Sequence, residues 1–320
     1  MLILSFSAQT QQDVQLSQQY LSRINVNPAA TGTSNYADAY LFARQQWMGF
    51  EGAPSTQMLN AHGYVQDIRS GVGLSIVNDM IGRNRCLNMM FSYAYHIQTG
   101  EERFFSLGLS AGLIHRRFGG NIITEMIEID PDIREILSNG QSVYRPDVNF
   151  GLIYSSPKFA FGLSATHLTH YLFKESWFRM PLHGYAFIEL GLDFSQTVRF
   201  TPRAQVMSAL AYGSVLGDTL KIPLMDKVDL LFDLGGTLSV QDKFWIGGAF
   251  RAGMPFSSVS VTATVGVNLT PNLRIGYAYD HKLGNTFQNV KTYGSHEIVL
   301  NYRMKLTEVE VAEATPRFFE

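Results

Sequence analysis

From Ser258 to Leu269 the chain reads SVSVTATVGVNL, with apolar and small polar residues changing places at almost every step. Val259, Val261, Ala263, Val265, Val267 and Leu269 share one side of an extended chain, and Ser258, Ser260, Thr262, Thr264, Gly266 and Asn268 the other. A period of two is the signature of a β-strand. It recurs along most of the sequence and predicts fourteen strands, near residues 35–47, 55–66, 71–79, 85–98, 103–117, 145–155, 158–168, 183–196, 199–213, 226–240, 243–253, 256–269, 272–283 and 293–305. Many exceed the ~5–6 residues usual in soluble sheets and reach the ~9–11 that cross a bilayer at a tilt. Tight connections such as Ser156-Pro157, Gln241-Asp242 and Thr270-Pro271 alternate with longer ones at 118–144, 169–182, 214–225 and 284–292.

The polar side decides between two solvents. A soluble antiparallel sheet sets Lys and Glu on its wet face, whereas residues 258–269 set Ser, Thr, Gly and Asn there. Charged residues make up 16% of the chain, against roughly 25% in a soluble domain, and aromatics make up 12%. The apolar faces are too many for one interior. Facing them to lipid and closing the sheet, so that no edge is left unpaired, satisfies both constraints. The expected fold is therefore all-β: a transmembrane antiparallel β-barrel of about 14 strands with both termini periplasmic. A large soluble β-protein is the competing reading. No run approaches the ~18 apolar residues of a membrane-spanning helix. A net charge of −2 with scattered Lys and Arg gives no nucleic-acid signature.

The barrel pattern covers residues 35–305. Residues 1–8, mostly apolar and ending in small residues near Ala8, read as the remnant of a cleaved secretory signal. Residues 9–34 read as a periplasmic lead-in or a lumen plug, and residues 306–320 as a periplasmic tail, either an added edge strand or disordered. Residues 121–139 break the alternation and carry five acids, which suits an outer loop with a short helix.

Little in the chain points to catalysis. His167 and His170 in THLTH lie three apart and face opposite sides of a strand. HExxH and P-loop motifs are missing. Cys86 has no partner for an internal disulfide. We assign no catalytic, cofactor-binding or metal residues. Asp193, Asp229, Asp233, Arg203 and Lys227 are expected to form a charged network in the lumen. Phe104, Phe105, Tyr154, Tyr185, Phe194, Tyr279 and Tyr302 sit near strand ends, as interfacial girdles do.

Several stretches resemble a known family. QQDVQLSQQYLSRINVNPAATG supplies Gln11, Gln12, Asp13, Ser17, Tyr20, Asn27, Pro28, Ala29 and Gly32. RQQWMGFEGAPSTQ supplies Arg44, Gln46, Trp47, Gly49, Gly52, Ala53, Pro54 and Thr56, and GVGLSIVNDMIG supplies Gly71 to Leu74, Asn78 and Asp79. With RIGYAYDHKLG and GSHEIVLNY near the end, the series resembles the PorP/SprF family of type IX secretion system outer-membrane proteins over residues 11 to about 304. The acidic tail TEVEVAEATPRFFE departs from the basic tails associated with that family.

The resemblance implies an integral outer-membrane barrel without enzymatic activity, serving a Bacteroidetes export machine that moves folded cargo to the cell surface. Implied partners are outer-membrane lipid, periplasmic type IX secretion components, and secreted cargo or a surface adhesin. The alternative function is a passive channel for small or hydrophobic solutes. Asn27, Pro28, Arg44, Trp47, Gly49, Pro54, Asn78 and Asp79 are the structural or partner-binding candidates. Asn27-Pro28 would end a short amphipathic helix. Gly49, Gly52 and Pro54 would form a tight hairpin. Arg44 would pair with Asp79 or Glu51, or stack on Trp47. Residues 11–32, 44–56 and 305–320 are all expected on the periplasmic side.

Overall fold

The computed structural model describes residues 13–34, 36–119, 141–169, 180–214, 221–254, 259–283 and 292–306; side chains of Gln141, 210–214 and 221–228 are not described. Its strands are β1 (Tyr36–Gln45), β2 (Ser55–Val65), β3 (Ser70–Ile81), β4 (Asn84–Gly100), β5 (Arg103–Phe118), β6 (Gln141–Ser156), β7 (Phe159–Thr166), β8 (Leu182–Leu190), β9 (Leu192–Ser195), β10 (Val198–Ser214), β11 (Lys221–Val240), β12 (Phe244–Met254), β13 (Val259–Asn268), β14 (Leu273–Leu283) and β15 (Ser295–Lys305). Neighbours pair antiparallel, and β15 returns to β1 with Tyr36 opposite Lys305. The sheet is thus a closed barrel of fourteen staves.

The stave expected over residues 183–196 is broken at Gly191 into β8 and β9, which both pair with β10. At the break, Gly191 N–H donates to the Lys158 carbonyl at 2.9 Å and so extends the β7 register. The gap is on the β10 side, between Arg203–Glu189 and Phe200–Leu192, where Pro202 has no N–H to give. Elsewhere the expected strands lie within a few residues of the observed ones. The main extensions are β6 and β11, which begin earlier than the alternation indicates.

Which side of each strand faces outward follows from the same alternation. Val261 and Val265 are 42% and 51% exposed on the outside, while Thr262 and Thr264 between them are 2% and 5% exposed. On β4, Phe91, Tyr93 and Tyr95 point out, and Ser92, Ala94 and His96 are buried. An exposed belt of this size on a closed sheet is the surface a bilayer covers, and closure leaves no backbone edge in lipid. Phe194 and Tyr302 lie on the outer surface, whereas Phe104 and Tyr185 point inward.

One end of the barrel carries short turns, at 66–69, 101–102, 157–158, 196–197, 241–243 and 269–272. The other end carries the remaining connections, including 119–140, 167–181 and 284–294. Because β1 crosses the wall once, residues 46–54 sit at this second end, opposite Tyr36 and Lys305. Residues 44–56 therefore do not share a side with the chain following β15. Nor is 46–54 a tight hairpin. It spans the gap from Gln45 to Ser55 with Trp47, Gly49 and Gly52 at positive φ.

Residues 13–34 run lengthwise through the lumen. Asp13 stands among the ends of β7 and β8 near the long-connection end, and Thr31 to Ser34 reach the short-turn end, where β1 begins. The segment holds only two 3-10 turns, Gln19–Leu21 and Pro28–Ala30, in place of the expected amphipathic helix. Asn27 starts the second turn rather than ending a helix; its Oδ1 accepts from Ala29 N–H at 3.0 Å. The interior is built around this segment. Leu16 packs with Tyr40, Phe42, Met58, Val77 and Val299; Ile24, Ala29 and Ala30 pack with Ile153, Ala160 and Phe187; and Val26 packs with Tyr185 and Met207. Each fully buried Leu or Ile contributes about 1.5–3 kcal/mol.

Candidate functional site: the contacts between lumenal segment and wall

Near the long-connection end, Arg44 of β1 faces Glu297 of β15, its register partner, at 3.2 Å, and Asp280 of β14 at 2.5 Å. Both acids also hold the segment. Glu297 accepts the backbone N–H of Ser17 at 2.7 Å and of Gln18 at 2.8 Å, and Asp280 accepts Ser17 Oγ–H at 2.6 Å. Arg251 of β12 bonds Asp233 at 2.8 Å and the Leu16 carbonyl at 3.1 Å. Arg44 thus bonds neither Asp79 nor Glu51.

Halfway down, the direction of the charges reverses. Here the cation belongs to the segment: Arg23 pairs with Glu189 of β8, bonds Gln205 at 3.1 Å and stacks over the Phe187 ring at 4.2 Å. Arg203 stacks over the Tyr20 ring at 3.8 Å and donates to Thr237 at 2.7 Å. From Asn27 on, the contacts use neutral groups, apart from Ser34 Oγ–H, which donates to the Asp38 carboxylate at 2.5 Å. Asn27 Nδ2 donates to the carbonyls of Leu152 and Leu163, both at 3.2 Å, and His96 bonds the Thr31 carbonyl at 3.0 Å.

The wall leaves room for the segment where side chains are missing. A Cβ on Gly108 of β5 would stand 2.1 Å from Ala29 N, and one on Gly71 of β3 would stand 2.0 Å from the Thr31 carbonyl oxygen. Backbone lies against backbone at both places, which only glycine permits.

At the long-connection end, Asp13 meets two histidines. His167 follows β7 at a positive φ of 62, a conformation that swings its ring out of the strand register into the lumen. Its Nε2 bonds Asp13 Oδ1 at 2.9 Å and its Nδ1 bonds Asp147 Oδ2 at 2.7 Å. Tyr185 and Thr166 hydroxyls donate to Asp13 Oδ2 at 2.8 and 3.2 Å. Burial opposes the Asp13 charge, but His167 and His183 beside it outweigh burial and hold the carboxyl below its ordinary range. Burial also opposes a charged His167; Asp13 and Asp147 outweigh it and raise that imidazole to about 10. The pair is a charged tie between segment and wall.

The sequence-derived candidates separate in space. Asn27, Pro28, Arg44 and Asp79 are inside, with Asp79 accepting from Thr56 Oγ at 2.6 Å. Trp47, Gly49 and Pro54 belong to the 46–54 connection, where Lys282 Nζ stands 5.5 Å from the Trp47 ring. Asn78 is on the outer side of β3, bonded to Gln57 and Arg85. Of the expected lumen network, Asp233 is inside, but Asp193 lies at the short-turn rim with Arg199 and Lys158. The Lys227 side chain lies outside the described residues, as do the whole acidic 121–139 stretch, His170 and residues 307–320. Asp13, Ser17, Arg23, Glu189, Asp280 and Glu297 escaped the sequence reading as a set. The available signal was an ionisable residue on the inward side of a membrane strand, which is costly unless paired.

Closed wall and lipid-compatible exterior define an outer-membrane β-barrel, with residues 13–34 lying inside its wall. The chain belongs to the family described as type IX secretion system membrane protein PorP/SprF, whose model matches residues 8–302. No curated protein matches the sequence. Solved barrels share the fold. The CymD monoaromatic hydrocarbon channel is similar at a TM-score of 0.54 and 14% identity, over 92% of this chain and 94% of that one. The Ralstonia pickettii toluene transporter TbuX is similar at 0.52 and 14%, over 88% and 92%. The Pseudomonas putida toluene transporter TodX is similar at 0.51 and 9%, over 93% and 96%. At these identities the likeness is one of fold.

Proposed function

We propose that the protein is a non-conducting, non-enzymatic component of the type IX secretion system, which uses its outer-membrane barrel to hold a secreted adhesin or to anchor a periplasmic complex. The observation that carries this reading is the lumenal segment. Ion pairs at two levels, three apolar clusters and backbone contacts against wall glycines occupy the path a solute would take. Family membership supplies the export context. In the usual orientation of such barrels the short turns face the periplasm. On that orientation we read Lys305, and with it the acidic tail, as facing the periplasmic components. On the same reading the 46–54 connection, with Trp47, Gly49 and Pro54, faces the surface cargo.

The test is twofold. Purified protein in planar bilayers is expected to be electrically silent, and affinity capture from detergent-solubilised membranes is expected to recover export components and a surface protein. Removing residues 306–320 is expected to leave the barrel folded and to weaken capture of the periplasmic partner. Steady conductance of the intact protein, or uptake of small aromatic solutes, would instead support the passive-channel alternative.

A further inference from the structure

We propose that Asp13, His167 and His183 form a binding site for a divalent transition metal of the zinc class, which fastens the start of the lumenal segment to the wall between β7 and β8. One oxygen or nitrogen from each residue can be chosen so that all lie within 4.8 Å of one another. His167 Nε2 stands 2.9 Å from Asp13 Oδ1, and His183 Nδ1 stands 3.8 Å from Asp13 Oδ2. Ligand bonds of about 2.0–2.1 Å in a tetrahedral zinc site set neighbouring donor atoms about 3.3 Å apart. The two separations, to the two different Asp13 oxygens, lie on either side of that value, and drawing the widest pair in from at most 4.8 Å takes side-chain adjustment.

Three further features favour a metal over a simple ion pair. The first is an unused donor. His183 is fully buried, yet its Nδ1 makes no hydrogen bond. At 3.8 Å the carboxylate is beyond hydrogen-bond reach, but two bonds to a shared cation span that gap. Ligation through Nδ1 puts the His183 proton on Nε2, replacing the long 3.3 Å contact from Asp13 N–H, and ligation by His167 releases the Nε2 proton it shares with Asp13 to solvent. The second is the outer shell. Asp147 accepts from His167 Nδ1 at 2.7 Å, the carboxylate–histidine arrangement that orients a ligating imidazole, and Tyr185 and Thr166 fix the Asp13 carboxylate. The third is access. A cavity of about 50 Å³ borders Asp13 and His167 and leaves space for a water in the fourth position. Two imidazoles and one carboxylate suit zinc or a neighbouring first-row ion, and are the wrong donors for calcium or magnesium, which take oxygen.

The experiment uses the full chain, purified in detergent and stripped with a chelator. Zn2+ added to it is expected to bind at one equivalent by titration calorimetry and metal analysis, and Co2+ is expected to give the visible bands of a low-coordinate site with nitrogen ligands. His183→Ala is expected to weaken Zn2+ binding at least 100-fold, and Asp147→Asn 10–100-fold through loss of the orienting carboxylate. Heat-modifiable gel mobility verifies that each variant is a folded barrel. If His183→Ala fails to fold, the Co2+ spectrum and imidazole couplings in pulsed paramagnetic resonance of the unmodified chain decide the matter. Absence of Zn2+ and Co2+ uptake by the unmodified protein, or uptake that His183→Ala leaves unchanged, would overturn the site. Neither outcome bears on whether the barrel conducts.

Discussion

Arg44 and Glu297 face each other across the seam where β1 and β15 close the barrel, and the same Glu297 carboxylate accepts the backbone N–H groups of Ser17 and Gln18 in the lumen. One side chain thus serves both the closure of the wall and the retention of what it encloses. Replacing it by alanine leaves two N–H donors without an acceptor and removes one of the buried partners of Arg44. Glu297→Ala is expected to destabilise the barrel by about 3–5 kcal/mol, the usual cost of breaking a buried ion pair, and to introduce current steps in planar bilayers. Denaturant unfolding from vesicles measures the first and single-channel recording the second.

Arg23 and Glu189 allow a stricter test. Each is almost fully buried and each depends on the other. Arg23→Leu and Glu189→Leu are each expected to cost about 3–5 kcal/mol, whereas the double substitution should cost less than either alone, because apolar groups replace a buried pair with little loss. Strictly additive losses in the unfolding free energies would show that the two charges act independently.

Gly108 tests the fit between backbone and backbone. A side chain there meets Ala29 N and the Pro28 carbonyl carbon within 2.3 Å, and neither belongs to a flexible group. Gly108→Leu should therefore fold as a barrel with Pro28 to Ala30 displaced. A cysteine placed at Ala30, now buried, should become reactive toward a water-soluble maleimide at least tenfold faster than in the Gly108 background. An unchanged labelling rate would mean that the wall yields instead of the segment.

Val265 tests which side meets lipid. It is half exposed on the outer face of β13, next to inward Thr264. Val265→Arg is expected to lose about 2–4 kcal/mol of folding free energy into vesicles if it lies near the bilayer midplane. Thr264→Val, one residue away and facing the lumen, should lose much less. Equal losses at the two positions would contradict the assigned faces.

The wall was legible in the sequence because lipid on one side and a small-residue lining on the other force a strict period of two. β4, β5 and β13 show it plainly, and their expected bounds fall close to the observed ones. The break at Gly191 was not legible, since it depends on which residue of β10 comes opposite, and Pro202 takes that place only through the strand register. Inward charges were visible as charges, but their partners were not. Arg44 meets Glu297 because a closed barrel joins its first and last staves, a relation set by closure and not by nearby sequence. His167 and His170 looked like a weak pair on opposite faces. The left-handed backbone at His167 instead turns its ring toward His183 and Asp13, and no local pattern announces such a turn.

The filler of the bore is continuous with β1 through residue 35, so it is a stopper on a leash. Should its ties be broken, it cannot diffuse away, and its effective concentration at the mouth stays in the millimolar range typical of short tethers. Any opening would close again by a first-order process whose rate is independent of how many barrels the membrane holds.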